Sequence, residues 1–174
     1  FVQTEILGPR NAIVCTRRPR SADEQPPWML HVVKVRGGES VHTSYETDRM
    51  RFIGRGRTTA DPQALRETAA LSGSAGPVLD PVAAMRCRVT LEPGETATVD
   101  LISGIGATRE ACLQLAGRYQ DRRHADRVLA AAPAAIQATL GRLGISETDA
   151  QLIRRLTDSV VYASACLRAE PRVI

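Results

Sequence analysis

What most constrains this chain is a change of hydrophobic period near residue 106. Upstream, apolar and polar residues alternate in the two-residue rhythm of a half-buried strand. Downstream, apolar side chains recur every three or four residues, as on one face of a helix. Strands followed by helices predict a mainly β chain with C-terminal helices, its antiparallel strands packed as a sandwich.

The alternation is sharpest at 85–102. Met85, Cys87, Val89 and Leu91 alternate with Arg86, Arg88, Thr90 and Glu92; Pro93-Gly94 then offers a type II turn, and Ala97, Val99 and Leu101 resume the pattern. Residues 85–102 therefore read as a hairpin with one wet face. Earlier strands are expected over Val2 to Ile6, Ala12 to Arg17 and Trp28 to Val35, with Gly37-Gly38 leading back into Val41 to Tyr45. A short helix is expected where Asp61 can cap and Pro62 suits the first position.

Three helical stripes follow: Cys112, Leu115, Ala116, Tyr119; then Val128, Ala132, Ile136, Leu140, Leu143; then Leu152, Leu156, Val160, Ala163, Leu167. Gly144 is placed to end the second helix, Ser146 with Asp149 to open the third, and Pro133 to kink or interrupt the second. With 174 residues, the chain can bury roughly 70% of its unfolded surface without disulfide staples. Cys15, Cys87, Cys112 and Cys166 are widely spaced and read as reduced, mostly buried thiols. No stretch reaches the roughly 18 apolar residues of a membrane span, and the N-terminus lacks the pattern of a signal peptide. The start at Phe1, already in strand rhythm, and the stop after a long helix suggest a piece of something larger.

Charge is uneven. Residues 1–60 hold ten basic and six acidic side chains, and 61–174 hold thirteen of each, so the whole excess of +4 lies in the first third. The densest segment is Tyr45-Glu-Thr-Asp-Arg-Met-Arg-Phe-Ile-Gly-Arg-Gly-Arg57. Its arginines Arg49, Arg51, Arg55 and Arg57 would present guanidinium forks to phosphate or sugar hydroxyls. The plainer alternative is a self-paired loop, with Glu46 and Asp48 neutralising the arginines and Gly54 and Gly56 easing the backbone. Trp28, beside the basic loop around Arg17, Arg18 and Arg20, would stack on a sugar or, more simply, pack into the core. Candidate ligand or interface residues are therefore Trp28, Tyr45, Glu46, Asp48, Arg49, Arg51, Arg55 and Arg57. His31, His42 and His124 lack zinc spacing, so no metal and no cofactor is expected. Ser72-Gly-Ser-Ala-Gly76 lacks the order of a nucleophile elbow and reads as a flexible turn. Gly104-Ile-Gly106 lacks the third glycine of a dinucleotide loop.

The runs FVQTEILGPRNAIVCTRRPRSADEQPPW, YETDRMRFIGRGR and LSGSAGPVLDPVAAMRCRVTLEPGETATVDLISGIGATREACL, with the DRRHADRV and DAQLIRRL helices, resemble the phosphorylase-like region of bacterial cyclic β-1,2-glucan synthases. That region is similar to the cellobiose and chitobiose phosphorylases, which are inverting glycoside phosphorylases. The resemblance implies a galactose-mutarotase-like β-supersandwich, with 1–105 its later part and 106–174 the helical linker and start of an α/α barrel. In this family an aspartic acid on the barrel protonates the departing oxygen while phosphate attacks the anomeric carbon. The resemblance puts those groups beyond Ile174, so no catalytic residue carries over and the chain alone is not expected to be an enzyme. It also implies partners: the remaining barrel, a second copy in a homodimer and, in the parent, β-glucan oligosaccharides at the cytoplasmic face of the inner membrane. Two other readings stay open: an autonomous carbohydrate-binding module for β-1,2-glucan and, weakest, a nucleic-acid binder. Acids within the basic segment and balanced charge elsewhere argue against nucleic acid, and no membrane contact by this stretch is expected.

Overall fold

The strand rhythm folds into two antiparallel sheets in a computed structural model that describes residues 1–38, 41–66 and 68–161. In order come β1 (Val2–Leu7), a 3-10 turn (Gly8–Arg10), β2 (Ala12–Arg17), β3 (Trp28–Arg36), β4 (Val41–Asp48), α1 (Arg49–Ile53), α2 (Gln63–Arg66), β5 (Gly76–Val78), β6 (Pro81–Val89), β7 (Thr98–Gly106), α3 (Arg109–Tyr119), α4 (Arg122–Leu143) and α5 (Glu147–Val161). The chain divides into two compact units, Phe1–Arg122 and Arg123–Ile174. One sheet has the order β5-β1-β2-β3-β7; the other is β4 paired with β6.

The hairpin expected at 85–102 does not form. β6 pairs with β4, from Val41↔Val89 to Asp48↔Pro81, whereas β7 pairs with β3, from Trp28↔Gly106 to Arg36↔Thr98. The Pro93-Gly94 turn is present, with Gly94 at φ 85 and the Glu95 N–H donating to the Glu92 carbonyl at 3.0 Å, but it lies in a crossing between sheets. Gly37 and Gly38 carry β3 across in the opposite direction, also with positive φ. The two crossings touch: a Cβ on Gly37 would lie 2.3 Å from the Thr96 carbonyl oxygen, and one on Gly38 2.9 Å from that of Thr90. Alternation tells which side chains share a face and leaves open which strand lies beside them.

One face of the five-stranded sheet carries Ala12, Val14, Leu30 and Val32, sealed by Cys112 and Ala116 of α3, all at 0% exposure. Burying each Val or Leu of this set contributes about 1.5–3 kcal/mol. The helix comes close because its contact residues are small and because Gly106 has no Cβ, which would otherwise sit 3.0 Å from the Cys112 nitrogen. Thr108 caps α3 by accepting from the Ala111 N–H at 3.1 Å, and Arg109 forks onto Glu5 of β1 at 2.8 and 2.6 Å. The opposite face presents Thr4, Ile13 and Val33 toward β4 and β6.

In the second unit the local signals act as the sequence indicates. Gly144, at φ 64, ends α4 in a Schellman motif: its N–H donates to Gly141 and that of Ile145 to Leu140. Ser146 opens α5, accepting from the Asp149 N–H at 3.1 Å while its hydroxyl donates to the Asp149 carboxylate at 2.6 Å. The interruption expected at Pro133 is absent; α4 runs through it as one helix, the proline being flanked by alanines whose small side chains leave room to relax around the missing hydrogen bond. Leu152, Leu156 and Val160 lie exposed on α5; Ala163, Leu167 and Cys166 fall outside the described residues.

Candidate functional site

The arginine-rich segment leaves the sheet through a β-bulge between Glu46 and Asp48. The extra residue lies in β6, where two residues separate Ala84 from Pro81 against the single Thr47 between Glu46 and Asp48, so Glu46 and Thr47 keep opposite faces of β4 and both are buried, at 2% and 0% exposure. Thr47 reaches the larger sheet. Its hydroxyl donates to the Ser74 carbonyl at 2.8 Å and lies 2.7 Å from the hydroxyl of Thr4, which accepts the Gly76 N–H at 3.1 Å.

Glu46 turns the other way, under the 71–74 loop. Its carboxylate accepts the N–H groups of Thr47 and Asp48 at 2.9 and 3.0 Å and the hydroxyls of Ser72 and Ser74. Burial pushes this carboxyl up, but the four donors together outweigh it and hold the group below its ordinary value. The Gly73 N–H donates to the Tyr45 carbonyl at 2.8 Å, and that of Leu71 to the Ser44 hydroxyl at 3.1 Å. The serine-glycine run at 72–76 is thus a hydrogen-bonded cover for Glu46. Ser72 and Ser74 were not distinguishable in the sequence as partners of Glu46, nor Thr4 as a partner of Thr47, since these pairs lie 26 to 43 residues apart.

The expected self-pairing of the segment is not what the structure shows: its close ion pairs are made with carboxylates outside it. Asp48 caps α1, accepting from Met50 N at 2.9 Å and Arg51 N at 3.4 Å, with only a loose 3.7 Å contact to the Arg51 guanidinium. Arg49 pairs with Asp80 and Arg57 with Asp61, both at 3.1 Å, and Asp61 also holds Arg66. Glu46 neutralises no arginine because its lone pairs are already taken. Among the described residues Arg55 has no carboxylate partner.

Arg51, Arg55, Phe52, Gln63, Ser72 and Arg86 line an open cleft of about 440 Å³ whose floor includes Glu46. Gly54, at φ 87, lets the chain bend tightly against Gln63; a Cβ there would fall 2.4 Å from the glutamine oxygen. Arg86 is engaged with the Ala69 carbonyl. Such a cleft offers guanidinium donors to a carboxylate, a phosphate or sugar hydroxyls, and among the described residues that line it the one acid, Glu46, is already engaged by four donors. Tyr45 and Trp28 stand apart from it. Tyr45 donates to Asn11 Oδ1 at 2.8 Å, tying the two sheets together. Trp28 packs against the α3 core and borders a separate, shallow cleft of about 500 Å³ with Arg17, Glu24, Thr108 and Glu110. There Arg17, together with the Arg20 N–H, holds the Glu24 carboxyl down to about 2.

The described residues contain no group of three or more His, Cys, Asp or Glu side chains placed to hold a metal ion. None of their helices is singly long and apolar enough to cross a membrane.

The chain is 30% identical over all 174 residues to the cyclic beta-(1,2)-glucan synthase NdvB of Rhizobium meliloti (strain 1021), covering 6% of that protein's length. Residues 1–122 match the model of the glycosyl hydrolase 94 supersandwich domain, the same stretch that forms the first compact unit. By that match over most of its length, together with the paired antiparallel sheets, the chain belongs to the glycosyl hydrolase 94 supersandwich family.

Proposed function

We propose that this chain is a non-catalytic supporting module of a longer glucan synthase or glycoside phosphorylase, in which the remainder of the enzyme, an α/α barrel, makes or phosphorolyses β-1,2-glucan. The observation that carries this reading is the state of the carboxylates around the cleft. A general acid needs a protonated carboxyl aimed at the leaving oxygen. Glu46 is instead held ionised under four donors, Asp48 caps a helix, and Asp61 and Asp80 are paired with arginines. What the segment has to offer is Arg55, with Arg51 beside it, as a contact to the barrel or to a second copy of the chain. The likeness to a cyclic glucan synthase supports β-glucan as the material handled; the location that goes with this reading is the cytoplasmic face of the inner membrane.

The test is charge reversal in the longer enzyme. Arg51→Glu with Arg55→Glu lowers glucan turnover or assembly roughly tenfold, the usual scale for losing a close interfacial charge pair, while thermal unfolding of the module is unchanged. Unaltered activity and assembly overturn the reading. A second reading, an autonomous β-1,2-glucan-binding module, is favoured by the Trp28 cleft, which Thr108 and Glu110 also line.

A further inference from the structure

Arg51 and Arg55 stand on either side of one tight turn and line the same cleft. The turn is fixed by backbone hydrogen bonds. The Gly54 N–H donates to the Met50 carbonyl at 2.8 Å and the Arg57 N–H to the Gly54 carbonyl at 3.3 Å, while Gly54, at φ 87, lies against Gln63. Both arginines thus extend from a backbone already ordered, which lowers the cost of organising them around a ligand. Little neutralises them. Among the described residues Arg51 meets a carboxylate only at 3.7 Å, that of Asp48, whose Oδ1 is taken by the Met50 and Arg51 N–H groups, and Arg55 meets none. The one carboxylate in the described lining, that of Glu46, is filled by four donors of the protein itself.

The rest of the lining is of another character, with Phe52, Ala64, Ala70 and Leu71 along it. At about 440 Å³ the cleft falls within the roughly 300–1,000 Å³ of small-molecule sites, more than a bare ion needs. A single bidentate fork satisfies a monoanionic carboxylate. Two guanidiniums in one cleft, neither closely paired, match two negative charges, and the apolar lining matches an uncharged body attached to them. We propose that this cleft binds a small organic dianion, a phosphate monoester or a dicarboxylate, its charges held by Arg51 and Arg55 and its apolar or aromatic body against Phe52 and Leu71. All of these groups belong to the first unit, so the inference does not rest on the contact read for the longer enzyme.

Three aromatic probes that differ in charge test it: phenyl phosphate, isophthalate and benzoate. Each is titrated into the 174-residue chain at one mildly alkaline pH and one ionic strength, with backbone amide and arginine Nε–H signals followed by NMR. The expected result is that at least one dianion shifts Phe52, Arg55 and Leu71 saturably and binds at least about tenfold tighter than benzoate, the scale of one added charge-assisted hydrogen bond; which dianion does so identifies the head group. Arg51→Gln and Arg55→Gln each weaken that dianion about tenfold, whereas Arg118→Gln, which removes the same charge from an exposed position on α3, leaves it unchanged. Benzoate binding as tightly as both dianions overturns the proposal. So does the absence of saturable shifts, and so does an equal effect of Arg118→Gln, which marks attraction by net charge alone. Dianion binding by the chain, alongside unaltered turnover and assembly of the longer enzyme carrying Arg51→Glu and Arg55→Glu, establishes this site and removes the contact reading instead.

Discussion

Removing the Glu46 carboxylate tests the part of the structure that joins the two sheets to the cleft. In Glu46→Ala, two backbone N–H groups, of Thr47 and Asp48, and two hydroxyls, of Ser72 and Ser74, lose their acceptor. The hydroxyls can rotate toward other oxygens. The N–H groups cannot, and each costs about 1–3 kcal/mol when left unsatisfied in the interior. A small cavity adds to this, so the expected loss is about 3–5 kcal/mol, a large part of a domain's usual margin of roughly 5–15 kcal/mol. Glu46→Gln keeps one acceptor oxygen and is expected to lose about half as much. Urea unfolding reads both: with a slope of about 2 kcal/mol per molar, the alanine variant's midpoint falls by about 2 M. The pH dependence has a fixed sign. Because the folded carboxyl lies below its ordinary value of 4.5, its contribution is complete above that pH and is lost as pH falls through the folded value. Glu46→Gln abolishes this component. An alanine variant within about 1 kcal/mol of the parent at neutral pH, with unchanged acid sensitivity, would refute the reasoning.

Two further predictions concern the sheet crossings and the Trp28 cleft. Gly37→Ala is expected to destabilise by about 3 kcal/mol or more, since φ is 83 and the added Cβ meets a backbone oxygen at 2.3 Å, whereas Gly94→Ala, at φ 85 with open space around it, costs about 1 kcal/mol; equal losses in thermal unfolding would contradict the packing of the two crossings. Glu24 is expected to titrate near 2 by carboxyl NMR and to return toward 4.5 in Arg17→Ala; an ordinary value in the parent chain would show that the Arg17 fork does not persist in solution.

Elements whose cause is local were legible in the sequence. Gly144 and Ser146 act through neighbours three to five residues away, and the alternation in β1 to β3 names the face each side chain takes. The partners of β6 and β7 were not legible, because period-two alternation looks the same whether the next strand in space is the next in sequence or lies in the other sheet. Leu101 shows the limit most clearly: its place in the apolar alternation reads as an inward-facing side chain, yet it is 68% exposed. At the candidate site the density of arginines was readable, but the role of Glu46 was not. Two of its four donors come from a loop 26 and 28 residues away. Asp80 pairs with Arg49 across 31 residues and was equally hidden.

The most direct test of the central claim is an amide NMR titration of the 174-residue chain with linear β-1,2-glucooligosaccharides and phosphate, with single-stranded DNA as control and sugar phosphate release followed in the same tube. A supporting module gives a dispersed spectrum, no saturable sugar shifts at Arg51 and Arg55 and no sugar phosphate. Saturable shifts clustered at Trp28, or turnover by the chain alone, would contradict it.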